Sequence, residues 1–134
     1  MLRARVTLPG LASPSPDEDI ASLLDCLSDV WARWLRKHRD FPALYQSGVV
    51  YAPEIDTEDW LSPQQILDAK RGDCEDLTLW RCAELRSRDV LAVPLCVSRQ
   101  VGRKFVQHVS LRYPSGRLED PSILLMPRGA QLVR

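Results

Sequence analysis

Cysteine is scarce in this chain, and no Cys-x-x-Cys pair occurs among Cys26, Cys74, Cys82 and Cys96. The two histidines are also far apart in sequence, so the ligand spacing of a structural zinc site is missing. In a chain without an export signal, thiols this few are expected to be reduced. We therefore expect neither a zinc-stabilised nor a disulfide-stapled scaffold.

An excess of either charge is also absent, because eighteen basic residues balance eighteen acidic ones. Without a net field to attract a polyanion, a nucleic-acid partner is not expected. No apolar stretch reaches the length of a membrane span, and the first ten residues lack the apolar run of a signal peptide. We therefore expect no membrane partner and a protein that stays where it is made, in the cytoplasm.

Glycine-rich phosphate loops are missing too, since neither Gly72 nor Gly102 stands in a nucleotide-binding pattern. What is present is the composition of a globular domain: 134 residues, of which 45% are hydrophobic and 27% charged. This length fits one compact domain and is too short for two ordinary ones. We therefore treat residues 1–134 as a single domain.

Local signals predict helices that pack on a small sheet. Capping boxes at Ser15 and Ser62 predict one helix that ends near Arg39 and a short one that ends near Gly72. Alternating or β-rich segments predict strands at 3–8, 48–52, 90–98 and 104–113. Pro94 suits an edge strand or a bulged strand, and Gly102 suits the turn between the last two strands. These elements predict an α+β domain with a largely antiparallel sheet.

The clearest chemical signal is Cys74, which lies in the sequence GDCEDL at 72–77. It falls in the first turn of a predicted helix that is apolar on nearly every side and reaches Leu85. Unpaired N–H groups and the positive dipole end stabilise a thiolate at such a position. The neighbouring Asp73, Glu75 and Asp76 oppose a thiolate, although they also favour the helix start or could bind a cation.

A base and an orienting carboxylate follow in the predicted hairpin. His108 lies in its second strand, and the tight turn at 114–116 brings Asp120 back to within a residue or two of the position opposite His108. A cysteine, a histidine and a carboxylate in these places fit a thiol nucleophile with its base and orienter. Cys26 has no nearby histidine, and we interpret it as a buried or half-buried packing residue.

These motifs resemble a known superfamily. The segment from Trp60 through GDCEDL, with QHVSL at 107–111 and EDP at 119–121, resembles the transglutaminase-like superfamily. Its cysteine motif is similar to that of bacterial transglutaminase-like cysteine proteinases. The resemblance covers about half of the chain. It implies a papain-like fold, N-terminal helices with a central cysteine-bearing helix on the sheet, and a triad of Cys74, His108 and Asp120.

The resemblance also implies an activity, that of a peptidase-like cysteine hydrolase or an acyltransferase that acts on a protein or peptide through a thioester. The Cys74 N–H is expected to be one oxyanion donor, and a side chain of Trp60, Gln64 or Gln65 the other. No cofactor is required. Some similar enzymes are calcium-dependent, and the resemblance puts Asp73 and Glu75 in the matching ligand positions. This chain is shorter than those enzymes and lacks their export signal.

A non-enzymatic role is the alternative. Small domains of this kind occur in phage and prophage gene sets, so a structural or assembly subunit of a virion competes with the enzyme. The C-terminal residues are apolar, and termini fray unless they are tied down. For residues 131–134 we therefore expect a contact with a second copy of the chain or with a larger assembly.

Overall fold

The structure is a computed structural model that describes residues 17–53 and 60–128. In chain order it contains α1 (Asp17–Lys37), a 3-10 turn (Leu44–Gln46), β1 (Val50–Tyr51), α2 (Pro63–Ala69), β2 (Arg71–Gly72), α3 (Cys74–Ser87), β3 (Val93–Val101), β4 (Lys104–Arg112), β5 (Leu118–Glu119) and α4 (Pro121–Leu124). The strand predicted at 3–8, the cap at Ser15 and the tail at 131–134 lie outside these residues. No helix in the described ranges is long and apolar enough to cross a bilayer.

The helix α2 begins as predicted. The Ser62 side chain accepts a hydrogen bond from the Gln65 N–H at 3.2 Å, and Gln65 Oε1 accepts one from the Ser62 N–H at 2.9 Å. This reciprocal cap satisfies two N–H groups that the helix itself leaves unpaired. The helix ends at Ala69, earlier than the prediction near Gly72, because Lys70 adopts a left-handed conformation with φ 58°.

The helix α3 lies at the centre of the domain. Its residues Leu77, Leu79 and Trp80 are almost fully buried although they point in different directions around the helix. The helix α1 packs along α3, and β3 and β4 contact it as well. Burying a large apolar side chain contributes about 1.5–3 kcal/mol, so these residues form a substantial part of the core. The predicted central, buried helix is confirmed.

The strands β3, β4 and β5 form an antiparallel sheet in that order. Pro94 lies in β3, which is an edge strand as predicted, and Gly102 takes a φ of 63° in the turn to β4. The outer edge of β3 is partly closed, because the Ser98 N–H donates to the Asp17 carboxylate at 2.9 Å. A separate parallel pair joins β1 to β2. The helices and the two small sheets confirm the α+β class.

Candidate active site

The start of α3 is fixed by a capping box. Asp73 Oδ1 accepts a hydrogen bond from the Asp76 N–H at 2.9 Å, and Asp76 Oδ2 accepts one from the Asp73 N–H at 3.2 Å. Gly72 precedes this box, and a Cβ there would lie 3.1 Å from the Cβ of Asp76 and 3.2 Å from a methyl group of Leu77. Glycine therefore allows the tight entry into α3 that places Cys74 in its first turn.

The Cys74 thiol is buried against β4. Cys74 is 9% exposed and packs in the same buried cluster as Val109 of β4, whose backbone N–H favours the thiolate. That N–H belongs to the peptide group that joins His108 to Val109. The thiol therefore lies against β4 at the residue that follows His108.

Burial raises the pKa of the Cys74 thiol above its ordinary value, and the carboxylates of Glu75 and Asp73 raise it further. The backbone N–H of Val109 lowers the pKa of the thiol but is outweighed. The structure thus favours a neutral thiol at rest, whereas the position at a helix N-terminus predicted a stabilised thiolate.

The predicted contact between His108 and Asp120 is confirmed. The distance from His108 Nε2 to Asp120 Oδ2 is 2.5 Å, and the two side chains are 16% and 18% exposed. The other carboxylate oxygen of Asp120 accepts a hydrogen bond from the Ser122 N–H at 3.1 Å and caps α4. Asp120 is therefore held from both sides, by the imidazole of His108 and by the helix that it caps.

The second ring nitrogen of His108 has a different environment. Nδ1 is buried and has no hydrogen-bond partner in the described part of the chain, so it makes no hydrogen bond with the sulfur of Cys74. With Nε2 bonded to Asp120, Nδ1 is the nitrogen left to accept a proton. A buried polar atom without a partner is uncommon in proteins. Catalytic hydrogen bonds are often long before substrate binds and shorten in its presence.

The three oxyanion candidates differ in their positions. The segment at Trp60 reaches the first turn of α3, because the next residue, Leu61, donates its N–H to Asp76 Oδ1 at 2.8 Å. The Gln64 amide instead points along its own helix and donates to Asp68 at 2.9 Å. Gln65 Oε1 is engaged in the cap of α2. Of the three, Trp60 belongs to the segment that the Leu61 hydrogen bond joins to the first turn of α3.

The predicted calcium ligands are Asp73 and Glu75. Asp73 is 8% exposed, and one oxygen of its carboxylate already caps α3. Among the described residues no group of three or more His, Cys, Asp or Glu side chains is placed to hold a metal ion. The geometry therefore gives the calcium prediction no support.

Known proteins add nothing to this picture. Comparison with protein-family models, with curated proteins and with solved structures finds no match to this chain. The resemblance to transglutaminase-like proteins is thus carried by its motifs alone.

The other three cysteines differ from Cys74 in their surroundings. Cys82 is fully buried, and burial raises the pKa of its thiol to about 12. Cys96 is half-buried, and burial together with the Asp17 carboxylate raises the pKa of its thiol to about 12. Cys26 is exposed on α1, so its interpretation as a buried or half-buried packing residue was wrong. In chemical experiments Cys26 is therefore the thiol that must be removed first.

A buried polar network that the sequence did not reveal lies beside Asp120. Glu119 is at its centre, and its carboxylate accepts hydrogen bonds from Arg81 Nε at 2.7 Å, Tyr45 at 2.7 Å and Tyr113 at 2.6 Å. Arg81 also donates to Glu84 at 2.8 Å. The spacing of Arg81 and Glu84 on one helix hinted at this ion pair, but nothing local pointed to the other contacts.

Asp76 has a second role that the sequence did not indicate, beyond its place at the start of α3. It is 2% exposed, and its carboxyl group lies beside that of Asp73 in the reciprocal cap of α3. Burial raises the pKa of Asp76 well above its usual value, and the nearby Asp73 charge raises it further. Burial and the charge of Asp73 therefore favour the protonated form of Asp76.

We expect Asp76→Asn to reduce the loss of stability as the pH rises. Because the folded pKa of Asp76 is raised, its contribution is complete below the unfolded pKa of about 3.9 and is lost as the pH rises through the folded pKa. Asparagine imitates the protonated acid and should avoid this loss. We compare how far the free energy of unfolding, measured with urea, falls between pH 5 and pH 8. This fall should be smaller in Asp76→Asn than in the unmodified protein by at least about 1 kcal/mol.

The control is Asp68→Asn, which changes an exposed carboxylate on α2. It should follow the pH profile of the unmodified protein. Equal pH profiles for Asp76→Asn and the unmodified protein would show that Asp76 is ionised in the fold.

Proposed function

We propose that this domain is a transglutaminase-like, papain-type cysteine hydrolase or acyltransferase, with Cys74 as its nucleophile, His108 as its base and Asp120 as the orienting residue. The observation that carries the proposal is the 2.5 Å contact between His108 Nε2 and Asp120, one residue from Val109, whose backbone N–H acts on the Cys74 thiol. A nucleophile, a base and an orienter for the base are the parts that thiol acyl transfer needs.

The chemistry begins with a proton transfer. His108 Nδ1 accepts the thiol proton of Cys74 while the sulfur attacks the carbonyl carbon of an amide or ester. Because burial and the neighbouring carboxylates disfavour the thiolate, this transfer accompanies the attack rather than preceding it as a stable ion pair. Asp120 fixes the ring by accepting the Nε2 hydrogen and stabilises the imidazolium that forms.

The oxyanion and the leaving group complete the cycle. The Cys74 N–H, in the first turn of α3, has no helical acceptor and can donate to the oxyanion. Collapse of the tetrahedral intermediate breaks the bond to the leaving amine or alcohol, which takes the proton from the His108 ring. The thioester on Cys74 then passes its acyl group to water or to an amine. The resemblance favours a protein or peptide as the acyl donor.

An acylation experiment tests this proposal. In a Cys26→Ser background, a small activated ester such as p-nitrophenyl acetate should place one acyl group on Cys74, detected by intact mass and peptide mapping. Cys74→Ala should give no adduct, and His108→Gln should slow its formation by about 10²- to 10⁴-fold, the usual contribution of a general base. The buried Cys82 serves as an internal control and should remain unmodified.

The competing proposal is a non-enzymatic subunit of a larger assembly, such as a phage particle. It is favoured by the apolar surface of α4, where Ile123 is 50% and Leu124 60% exposed, while the next residue, Leu125, packs against the core. Such a surface suits a contact with a second copy or another protein. A folded protein whose Cys74 forms no adduct would leave this account as the better one.

A further inference from the structure

Glu119 occupies an unusual place, because it is buried in a polar network while the next residue, Asp120, contacts His108. Successive residues of a strand point to opposite faces of a sheet. The side chain of Glu119 accordingly reaches Arg81 on α3, and that of Asp120 reaches the imidazole. The two carboxylates therefore bind the segment at 119–120 to its neighbours on both sides, Arg81 on one side and His108 on the other.

The strand β5 has few other anchors. It contains two residues, pairs with β4 only through Leu111↔Glu119 and Arg112↔Leu118, and leaves Leu118 64% exposed. Backbone pairing over such a length is weak, and an exposed leucine adds little packing. The side chain of Glu119 is therefore the main interior attachment of the chain just before Asp120.

The carboxylate of Glu119 is well suited to this task. Burial alone would raise its pKa, but hydrogen bonds from Arg81, Tyr113 and Tyr45 outweigh burial and hold the pKa of Glu119 below its usual value. The group thus remains charged, and charge-assisted hydrogen bonds are stronger than neutral ones. Arg81 is in turn fixed by Glu84, whose other oxygen accepts the Leu44 N–H at 2.7 Å.

We propose that Glu119 is a positioning residue, which holds β5 against α3 and thereby keeps Asp120 in hydrogen-bond contact with His108. The proposal rests on the proposed thiol chemistry for its effect on activity, although the contact itself can be tested without that chemistry. Asp120 must sit within a few tenths of an ångström of its place for a 2.5 Å contact, and a displacement of about 1 Å can cost about 100-fold in rate.

The test compares Glu119→Gln with Glu84→Gln. Both remove a buried carboxylate that is bonded to Arg81, but Glu84 lies on α3 and not on β5. The first readout is the downfield ¹H NMR signal of the His108 ring N–H in its short bond to Asp120, assigned by its loss in His108→Gln. We expect this signal to vanish or broaden in Glu119→Gln and to persist in Glu84→Gln. Alkylation of Cys74 by iodoacetamide should slow by up to about 100-fold only in Glu119→Gln.

Folding is controlled by circular dichroism and thermal melting. If Glu119→Gln does not fold, the double variant Tyr45→Phe with Tyr113→Phe replaces it, because it removes two donors and retains the charge pair with Arg81. An unchanged His108 signal in a folded variant, or an equal loss in Glu84→Gln, would overturn the positioning role. Loss of the signal with unchanged alkylation of Cys74 would support that role and overturn the proposed function of His108 as the base.

Discussion

Asp120→Asn is expected to lower the rate of Cys74 acylation by about 10³- to 10⁴-fold while leaving the domain folded. The carboxylate accepts the Nε2 hydrogen of His108 at 2.5 Å, and this contact keeps the lone pair on Nδ1, where the base is needed. An asparagine amide can donate to Nε2 instead, which transfers the ring hydrogen to Nδ1 and removes the base. The charge that stabilises the imidazolium is lost at the same time.

The fold should survive because asparagine preserves the second role of Asp120. Its side-chain oxygen can still accept the Ser122 N–H, and asparagine caps helices about as well as aspartate. The measurement is single-turnover acylation by the activated ester in the Cys26→Ser background, with the melting temperature recorded in parallel. Asp120→Ala, which removes the cap as well, should lower both quantities. Unchanged acylation in folded Asp120→Asn would show that Asp120 does not orient the base.

The parts of the site that could be predicted depend on neighbours in sequence. A capping box needs residues three apart, and a hairpin brings together residues on either side of one turn, so Ser62, Cys74 and the contact between His108 and Asp120 could be anticipated. Each follows from backbone geometry that a few residues determine. The edge position of β3 followed from Pro94 for the same reason.

The parts that could not be predicted depend on burial. Whether Cys74 carries a proton is decided by how much water the surrounding elements exclude, and the sequence position alone favoured the opposite answer. The exposure of Cys26 likewise depends on which face of α1 meets α3. The periodicity of apolar residues indicates how wide the apolar face of a helix is, but it does not determine whether a residue at the border of that face is buried. Cys26 lies at this border.

The network around Glu119 could not be predicted either, because its residues are far apart in sequence. Tyr45 and Glu119 are 74 residues apart in sequence and meet only because the 3-10 turn, α3 and β5 converge. In sequence each of these residues could have been an ordinary surface polar group. Their convergence places a set of charge-assisted hydrogen bonds next to Asp120. Stability and site geometry are therefore coupled in this part of the molecule.

Arg81→Met is expected to lower the free energy of unfolding at pH 7 by about 3–5 kcal/mol, the largest stability effect that we predict. The arginine side chain is 15% exposed and neutralises Glu84 and Glu119, whose side chains are 7% and 13% exposed. Without it, two carboxylates remain close together in a site that holds little water. Urea unfolding measures the loss, and the surface variant Asp89→Asn provides the control.

That control breaks the 3.4 Å pair between Arg36 and Asp89, whose side chains are 45% and 93% exposed, and should cost less than about 1 kcal/mol. Because the folded pKa of Glu119 is lowered, its stabilising contribution is present above the unfolded pKa of about 4.3 and is lost as the pH falls. The difference between Arg81→Met and the unmodified protein should therefore shrink between pH 6 and pH 3. A loss below about 1 kcal/mol at pH 7, or a difference that does not change with pH, would mean that Glu84 and Glu119 do not need the arginine charge.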